Sequence, residues 1–169
     1  MIRYVSGNLL QSDADILVNP VNCEGVMGAG LAKAFKERYP RLFHQYAIDC
    51  ESGLYKPGRV VWYDTEDSEY GIRVVACLPT KTTWRAKSKI EYVDHGVRTL
   101  FGQILLHSTG QILLHSTRTP RPISVALPML GCGLGGLLWP QVHDVIVAAY
   151  GDFAWGNREP VVQIYGEKP

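Results

Sequence analysis

The sequence contains no long apolar run. No stretch approaches the roughly 18 consecutive apolar residues that a membrane-spanning helix requires. Residues 1–4 lack the apolar core of a secretory signal peptide, and the chain enters a strand-like segment at once. These absences predict a cytoplasmic protein with no membrane association.

Clustered metal ligands and paired cysteines are also missing. The four cysteines form no CxxC pair, and the five histidines have no ligand spacing. We therefore expect no metal site and reduced thiols. An excess of charge of one sign is also absent, because the net charge is +1. This value excludes binding to nucleic acid through overall charge, so any such contact requires a local patch.

What is present is an alternation of strand-like and helical segments. Strand-like runs occur at 2–6, 16–18, 60–63, 72–78, 123–127 and 161–165, with helical spacing near 31–38, 42–48, 90–100 and 140–150. The alternation predicts an α/β sandwich with a largely parallel central sheet. No shift in composition marks a linker, so we expect residues 1–169 to form a single domain.

An exact repeat interrupts this pattern. Residues 102–109 read GQILLHST, and residues 110–117 repeat them identically. Eight residues rotate a helix by about 80° beyond two turns, so both copies cannot turn the same face to the core. We expect a duplication in which one copy is peripheral.

The least ordinary stretch is 18–36, where two asparagines and three glycines separate a strand from a helix. Loops at the carboxyl ends of parallel strands form the ligand sites of α/β folds. Glycines let the backbone approach a ligand closely, and the amides of a helix beginning near Gly28 can bind a phosphate. Asn19 and Asn22 can donate to and accept from ribose hydroxyls. The alternative is an asparagine-rich turn whose glycines serve only packing.

A second glycine-rich segment, 131–136, also follows a strand and precedes a helix. Both loops should therefore lie at the same edge of the sheet. Two facing loops could hold a diphosphate from both sides through backbone amides. This arrangement favours a nucleotide diphosphate over a single phosphate.

Four motifs together resemble the macro domain family. They are GNLL at 7–10, VNPVNCEGVMGAGLA at 18–32, LPTKTTWRAKSK at 78–89 and ALPMLGCGLGGL at 126–137. The third segment is similar to the DarG antitoxin macro domains, which are close to the human terminal ADP-ribose glycohydrolase. The resemblance spans essentially the whole chain. It implies a three-layer α/β/α sandwich with a mixed, largely parallel sheet that binds ADP-ribose.

The resemblance also implies which residues bind ADP-ribose. Asn8 matches the position near the adenine, Asn22 matches the asparagine at the distal ribose, and 26–30 and 131–136 match the two diphosphate loops. The residues expected to bind ADP-ribose are Asn8, Leu9, Asn19, Asn22, Val26, Met27, Gly28, Gly30, Gly131, Cys132, Gly133, Leu134 and Gly135. No metal and no cofactor is implied.

A lysine at the position of Lys81 is catalytic in the DarG branch, where it is inferred to attack the anomeric carbon of the distal ribose. Cleavage of an N-glycosidic bond creates an oxocarbenium-like centre that a neutral amine can attack. An ordinary lysine is mostly protonated at neutral pH, so this role requires desolvation or nearby positive charge, for which Arg85, Lys87 and Lys89 are candidates. The alternative is a solvated lysine at a strand end.

Pro20 and Glu24 depart from the residues expected in the DarG branch. Glu24 is interpreted either as an additional acid near the ribose or as a solvated turn carboxylate. The second loop lacks the aspartate of the terminal ADP-ribose glycohydrolase, as DarG does.

A local basic and aromatic cluster follows Lys81. Trp84, Arg85 and Lys87 are candidate DNA contacts, because cations bind phosphates and an exposed indole can stack on a base. The alternative is a solvated loop with Trp84 packed inward.

Three functions fit these patterns. The first, implied by the resemblance, is a glycosidase that removes ADP-ribose from thymidine in single-stranded DNA and reverses a DarT-type toxin. The second is an ADP-ribose reader without turnover, and the third is a hydrolase of ADP-ribosyl esters on protein carboxylates or of ADP-ribose 1″-phosphate. A catalytic lysine favours the first over the second, and the basic cluster favours DNA over protein. We therefore predict a cytoplasmic, monomeric DNA ADP-ribosylglycohydrolase with a DarT-type toxin as a partner.

Overall fold

The computed structural model describes residues 1–67, 71–108 and 122–169. Within these residues six strands form one sheet in the order β1-β6-β5-β2-β4-β3. The strands are β1 Ile2–Val5, β2 Ile16–Val21, β3 Val61–Asp67, β4 Gly71–Pro79, β5 Ser124–Pro128 and β6 Val161–Tyr165. Every neighbouring pair is parallel except β3 and β4, which are antiparallel. The prediction of a mixed, largely parallel sheet is confirmed.

Helices cover both faces of this sheet. They are α1 Gly30–Arg38, α2 Pro40–Glu51, α3 Ile90–Ser108 and α4 Trp139–Gly151, with short 3-10 turns at Leu9–Gln11 and Gly156–Arg158. One core cluster joins the sheet to α3 and α4, and a second joins it to α1 and α2. The chain is therefore a three-layer α/β/α sandwich, as expected.

Two boundaries differ from the sequence-based prediction in ways that affect the loops. Strand β2 continues to Val21, because residues 16–21 all pair with β4 and lie on the central strand of the sheet. Helix α1 begins at Gly30 rather than near Gly28, so residues 26–29 form a separate segment before the helix. Ala29 is its N-cap and makes no side-chain capping hydrogen bond.

The first copy of the eight-residue repeat enters α3, where Ile104 is fully buried and Leu106 is exposed. The second copy, 110–117, lies outside the described residues, so the expectation that one copy is peripheral stays a prediction. Among the described residues, no helix is long and apolar enough to cross a membrane.

Candidate active site

Three loops meet at the carboxyl edge of the sheet around β2. Because β2 pairs in parallel with both β4 and β5, the segments that follow these strands emerge side by side. They are residues 22–29, 80–89 and 129–138, which we call the first, middle and second loops. The two glycine-rich segments thus follow the adjacent strands β2 and β5, and the segment of Lys81 follows β4 on the other side of β2.

The first loop is organised by the side chain of Asn22. Its Oδ1 accepts hydrogen bonds from the amides of Glu24 (2.9 Å) and Val26 (3.3 Å) and from the hydroxyl of Tyr46 (3.1 Å). Its Nδ2 donates to the Val26 carbonyl at 2.6 Å. Only 5% of Asn22 is exposed. In this structure Asn22 shapes the loop, and its contact with a ribose stays a prediction.

Asn19 lies at the base of the first loop, on β2. It is completely buried, and its Nδ2 lies 3.9 Å from the Met27 and Cys77 sulfur atoms. Met27 itself is 2% exposed. Met27 belongs to the core between the sheet and α1–α2, and a contact of either side chain with ADP-ribose stays a prediction.

The second loop is packed against the middle loop. Ser88 donates its backbone amide to the Gly135 carbonyl at 3.0 Å and its hydroxyl to Thr80 Oγ1 at 3.1 Å. A Cβ at Gly135 would overlap both Ser88 Oγ and the Gly131 carbonyl oxygen, so this position requires glycine. Cys132 is half-buried, with its thiol donating to the Leu130 carbonyl at 3.5 Å. This part of the loop is structurally constrained.

The rest of the second loop is open. A Cβ at Gly133 would have nothing within 4 Å, and Leu134 is 68% exposed. Lys87 Nζ would lie 3.4 Å from a Cβ at Gly136, which places its ammonium group beside this loop. Lys87 therefore borders the proposed diphosphate site, a position that its spacing in the sequence did not reveal.

The middle loop carries Lys81 directly after β4. Thr80 donates its amide to the Val21 carbonyl at 3.0 Å, and Cys23 donates its amide to the Thr82 carbonyl at 2.9 Å. Lys81 is half-buried, and its Nζ donates to the Trp84 carbonyl at 2.9 Å. The backbone on both sides of Lys81 is thus bonded to the end of β2 and to the first loop, while its amine lies against the Trp84 carbonyl.

The neighbouring cations are directed elsewhere. The Arg85 guanidinium stacks 4.3 Å from the centroid of the Trp84 ring system, and Lys89 Nζ lies 5.4 Å from that of Tyr92. Trp84 is 47% exposed, which is incompatible with the alternative in which it packs inward. The Trp84–Arg85 pair therefore presents a flat aromatic surface to solvent.

The opposite end of this edge contains a cavity of about 380 Å³. It is lined by Val5, Ser6, Gly7, Met129, Trp139, Tyr165, Gly166 and Glu167. The adjacent Asn8 is exposed, and its Oδ1 accepts from the Leu10 amide at 3.0 Å, while Leu9 is buried. Sequence analysis missed Tyr165 and Met129, although both stand at the carboxyl ends of strands and the same edge rule could have found them.

The thiols near the site are poor nucleophiles. Burial raises the pKa of Cys23, next to Glu24, and that of Cys132. Burial also raises the pKa of Cys50 to about 11 and that of Cys77 to about 12. A thiol attacks as its thiolate, so at neutral pH these groups are unreactive. No cluster of metal-ligating side chains occurs in the part of the chain that the structure describes.

Comparison with known proteins matches residues 18–146 to the model of the macro domain. The chain belongs to the macro domain family. The resemblance recognised in the sequence motifs is thereby confirmed.

Among macro domains the chain is similar to those of DarG. It is 41% identical over 150 residues to the DNA ADP-ribosyl glycohydrolase of Mycobacterium tuberculosis, covering 89% of this chain and 39% of that protein. The solved macrodomain of Mycobacterium tuberculosis DarG has a TM-score of 0.80 at 36% identity and 99% coverage of both chains. Thermosipho africanus DarTG, solved with ADP-ribose, has a TM-score of 0.78 at 27% identity, covering 99% of this chain and 43% of that one. The macro domain thus spans well under half the length of the curated relative.

Proposed function

We propose that this macro domain is a glycosidase that releases ADP-ribose from thymidine in single-stranded DNA. The observation that supports this most is the position of Lys81 in the middle loop, whose backbone is hydrogen-bonded to the first loop at Thr82 and to the second loop at Ser88. A protein that only recognises ADP-ribose has no need of an amine there. The DNA substrate is inferred from the similarity to the DNA ADP-ribosyl glycohydrolase of Mycobacterium tuberculosis.

The loops provide the groups for a diphosphate-binding site. The first turn of α1 has no side-chain cap at Ala29, so its amides can bind an anion. Facing it, Gly133 leaves space for a ligand, and Lys87 supplies a positive charge beside Gly136. The cavity at Tyr165 then fits the adenine end, because an aromatic ring and apolar walls suit a purine.

The chemistry follows from placing the distal ribose at Lys81. After its ammonium group has given a proton to solvent, the Lys81 amine attacks the anomeric carbon while the bond from that carbon to the base nitrogen breaks. The electron pair leaves with the base, which takes a proton from solvent. Water then releases ADP-ribose from the covalent adduct and restores the amine. The proposed reaction uses no metal and no cofactor.

The DNA strand is assigned to the surface of Trp84 and Arg85. An exposed indole with a guanidinium on one face can stack on a nucleobase next to the modified thymidine. The same guanidinium can hold a phosphate. We also propose that the domain is monomeric and cytoplasmic and that it acts together with a DarT-type toxin, by analogy with the DarTG protein named above.

The test uses a single-stranded oligonucleotide with ADP-ribosylated thymidine. We expect the wild-type domain to release ADP-ribose, and Lys81→Ala to slow release by about 100-fold or more. ADP-ribose affinity in calorimetry should change little, because the amine acts at the reacting carbon. Lys89→Ala is the matched control, since Lys89 belongs to the same loop but lies against Tyr92.

Three results would contradict the proposal in different ways. Full activity of Lys81→Ala would exclude the lysine as nucleophile. Turnover of a glutamate-modified protein without turnover of the DNA would make the domain an ester hydrolase. Tight binding without turnover of either substrate would make it a reader.

A further inference from the structure

Glu24 is exposed in the first loop, as a solvated turn carboxylate would be, and its carboxylate also accepts a hydrogen bond from the Trp84 amide. We propose that Glu24 is a positioning residue that holds Lys81 in place through the main chain of Trp84. This inference rests on the proposed function, since it concerns the same nucleophile.

Glu24 and Lys81 are connected through the backbone amide and the backbone carbonyl of Trp84. The Trp84 amide donates to Glu24 Oε2 at 3.0 Å, and the Trp84 carbonyl accepts from Lys81 Nζ at 2.9 Å. The carboxylate of the first loop and the amine of the middle loop are therefore linked by a single intervening residue. A shift of Trp84 would move the acceptor that orients the amine.

The backbone of Glu24 is held by the side chain of Asn22. Its amide donates to Asn22 Oδ1 at 2.9 Å, and Asn22 is buried and bonded to the hydroxyl of Tyr46. The position of the carboxylate is thus determined by the core that α2 shares with the sheet. Cys23 adds a second link between the loops through the Thr82 carbonyl.

The middle loop needs this restraint because Trp84 and Arg85 at its tip are exposed. Within the turn, the Ala86 amide donates to the carbonyl of Thr83 at 3.2 Å and to its hydroxyl oxygen at 3.1 Å. The amide of Trp84 is held from outside the turn, by Glu24. Lysine has many rotamers, so fixing its acceptor favours one orientation of the amine.

Substitution can separate positioning from acid catalysis. The Oε2 atom accepts a hydrogen bond from the Trp84 backbone amide. A glutamine could accept the same bond through its amide oxygen but could not exchange a proton. Glu24→Gln therefore keeps the positioning contact and removes the acid.

The experiment compares Glu24→Ala and Glu24→Gln with the wild-type domain on the ADP-ribosylated oligonucleotide, with Glu51→Ala as an exposed-glutamate control on α2. We expect Glu24→Ala to lower the rate at saturating substrate by about tenfold or more, since a displacement of about 1 Å can cost about 100-fold. ADP-ribose affinity should stay within about twofold of wild type, because the diphosphate loops do not depend on this contact. Glu24→Gln and Glu51→Ala should retain the wild-type rate.

A second measurement is independent of turnover. Hydrogen exchange of the Trp84 backbone amide, followed by NMR, should be slow in the wild type and in Glu24→Gln, and faster in Glu24→Ala. If the wild type does not act on DNA, the proposed function fails while this exchange measurement still decides whether Glu24 holds Trp84.

Equal loss of rate in Glu24→Ala and Glu24→Gln would overturn the inference, because the charge or the proton would then matter more than position. An unchanged rate in Glu24→Ala would overturn it as well. So would Trp84 amide exchange that is the same in all three proteins.

Discussion

The hydroxyl of Tyr46 provides a quantitative test of how the core supports the site. Tyr46 is fully buried on α2, and its hydroxyl donates to the Asn22 carbonyl at 2.8 Å and lies 3.1 Å from Asn22 Oδ1. Tyr46→Phe removes one oxygen atom and leaves the ring in place. The substitution therefore isolates the hydrogen bonds that reach the first loop.

The size of the effect follows from what each acceptor loses. Asn22 Oδ1 keeps its bonds from the amides of Glu24 and Val26, so it stays satisfied. The Asn22 carbonyl loses the donor of its 2.8 Å bond in a buried environment. Leaving a buried acceptor unpaired costs about 1–3 kcal/mol. We expect the free energy of unfolding to fall by about 1–2 kcal/mol, which for a domain of this size lowers Tm by roughly 2–8 °C.

The functional consequence should accompany the loss of stability. A looser first loop populates the binding conformation less, so ADP-ribose affinity should fall by up to about tenfold. Urea denaturation measures the first quantity and isothermal calorimetry the second, with Tyr92→Phe on α3 as the matched control. An unfolding free energy within about 0.3 kcal/mol of wild type, where surface substitutions commonly fall, would refute the reasoning about the Asn22 carbonyl. Lower stability with unchanged affinity would show that the first loop does not contribute to binding.

Three further predictions follow from the loops and the thiols. Gly133→Glu should fold normally, since a Cβ there meets no atom within 4 Å, but should abolish ADP-ribose binding in calorimetry through charge repulsion and steric blockage. Gly151→Glu, at an equally open position, is the control. Undiminished affinity of Gly133→Glu would refute the placement of the diphosphate. Lys87→Ala should lower the affinity for free ADP-ribose. Arg85→Ala should leave that affinity unchanged but reduce the slope of log K against log salt for DNA binding by about one unit. The reverse pattern would contradict these assignments. Burial raises the pKa of Cys50 to about 11, so the thiol of the unfolded chain ionises first as pH rises above about 9. Urea titrations should therefore show the free energy of unfolding falling from pH 9 to 11, and falling less steeply in Cys50→Ala. An unchanged pH dependence in that variant would exclude this thiol as a cause.

Sequence periodicity was sufficient for the architecture because burial acts locally on a strand or helix. Strand β6, Val161–Tyr165, was predicted to the residue, since alternating buried and half-buried side chains reflect its two packed faces. The ends of β2 and the start of α1 were less predictable. Asn19 and Pro20 look like turn residues, but pairing with β4 keeps them in the central strand.

Motif spacing located the three loops without showing how their side chains are used. Asn22 looks like a ligand-binding amide in the sequence. In the structure its side chain makes hydrogen bonds with Val26 of its own loop and with the hydroxyl of Tyr46, 24 residues further on. Lys87 looked like a DNA contact until packing placed it beside Gly136. Glu24 and Trp84 are 60 residues apart, so nothing in their local sequence predicts their hydrogen bond.

The sequence by itself determined the family, the α/β/α layering and the loops that meet at the edge of the sheet, because these depend on local patterns and on motifs with characteristic spacing. The tertiary structure alone decided which amides are buried, which cation faces which loop, and what holds the Lys81 amine. These properties depend on contacts between residues far apart in the chain, since parallel strands bring their carboxyl ends together irrespective of the length of the connection between them.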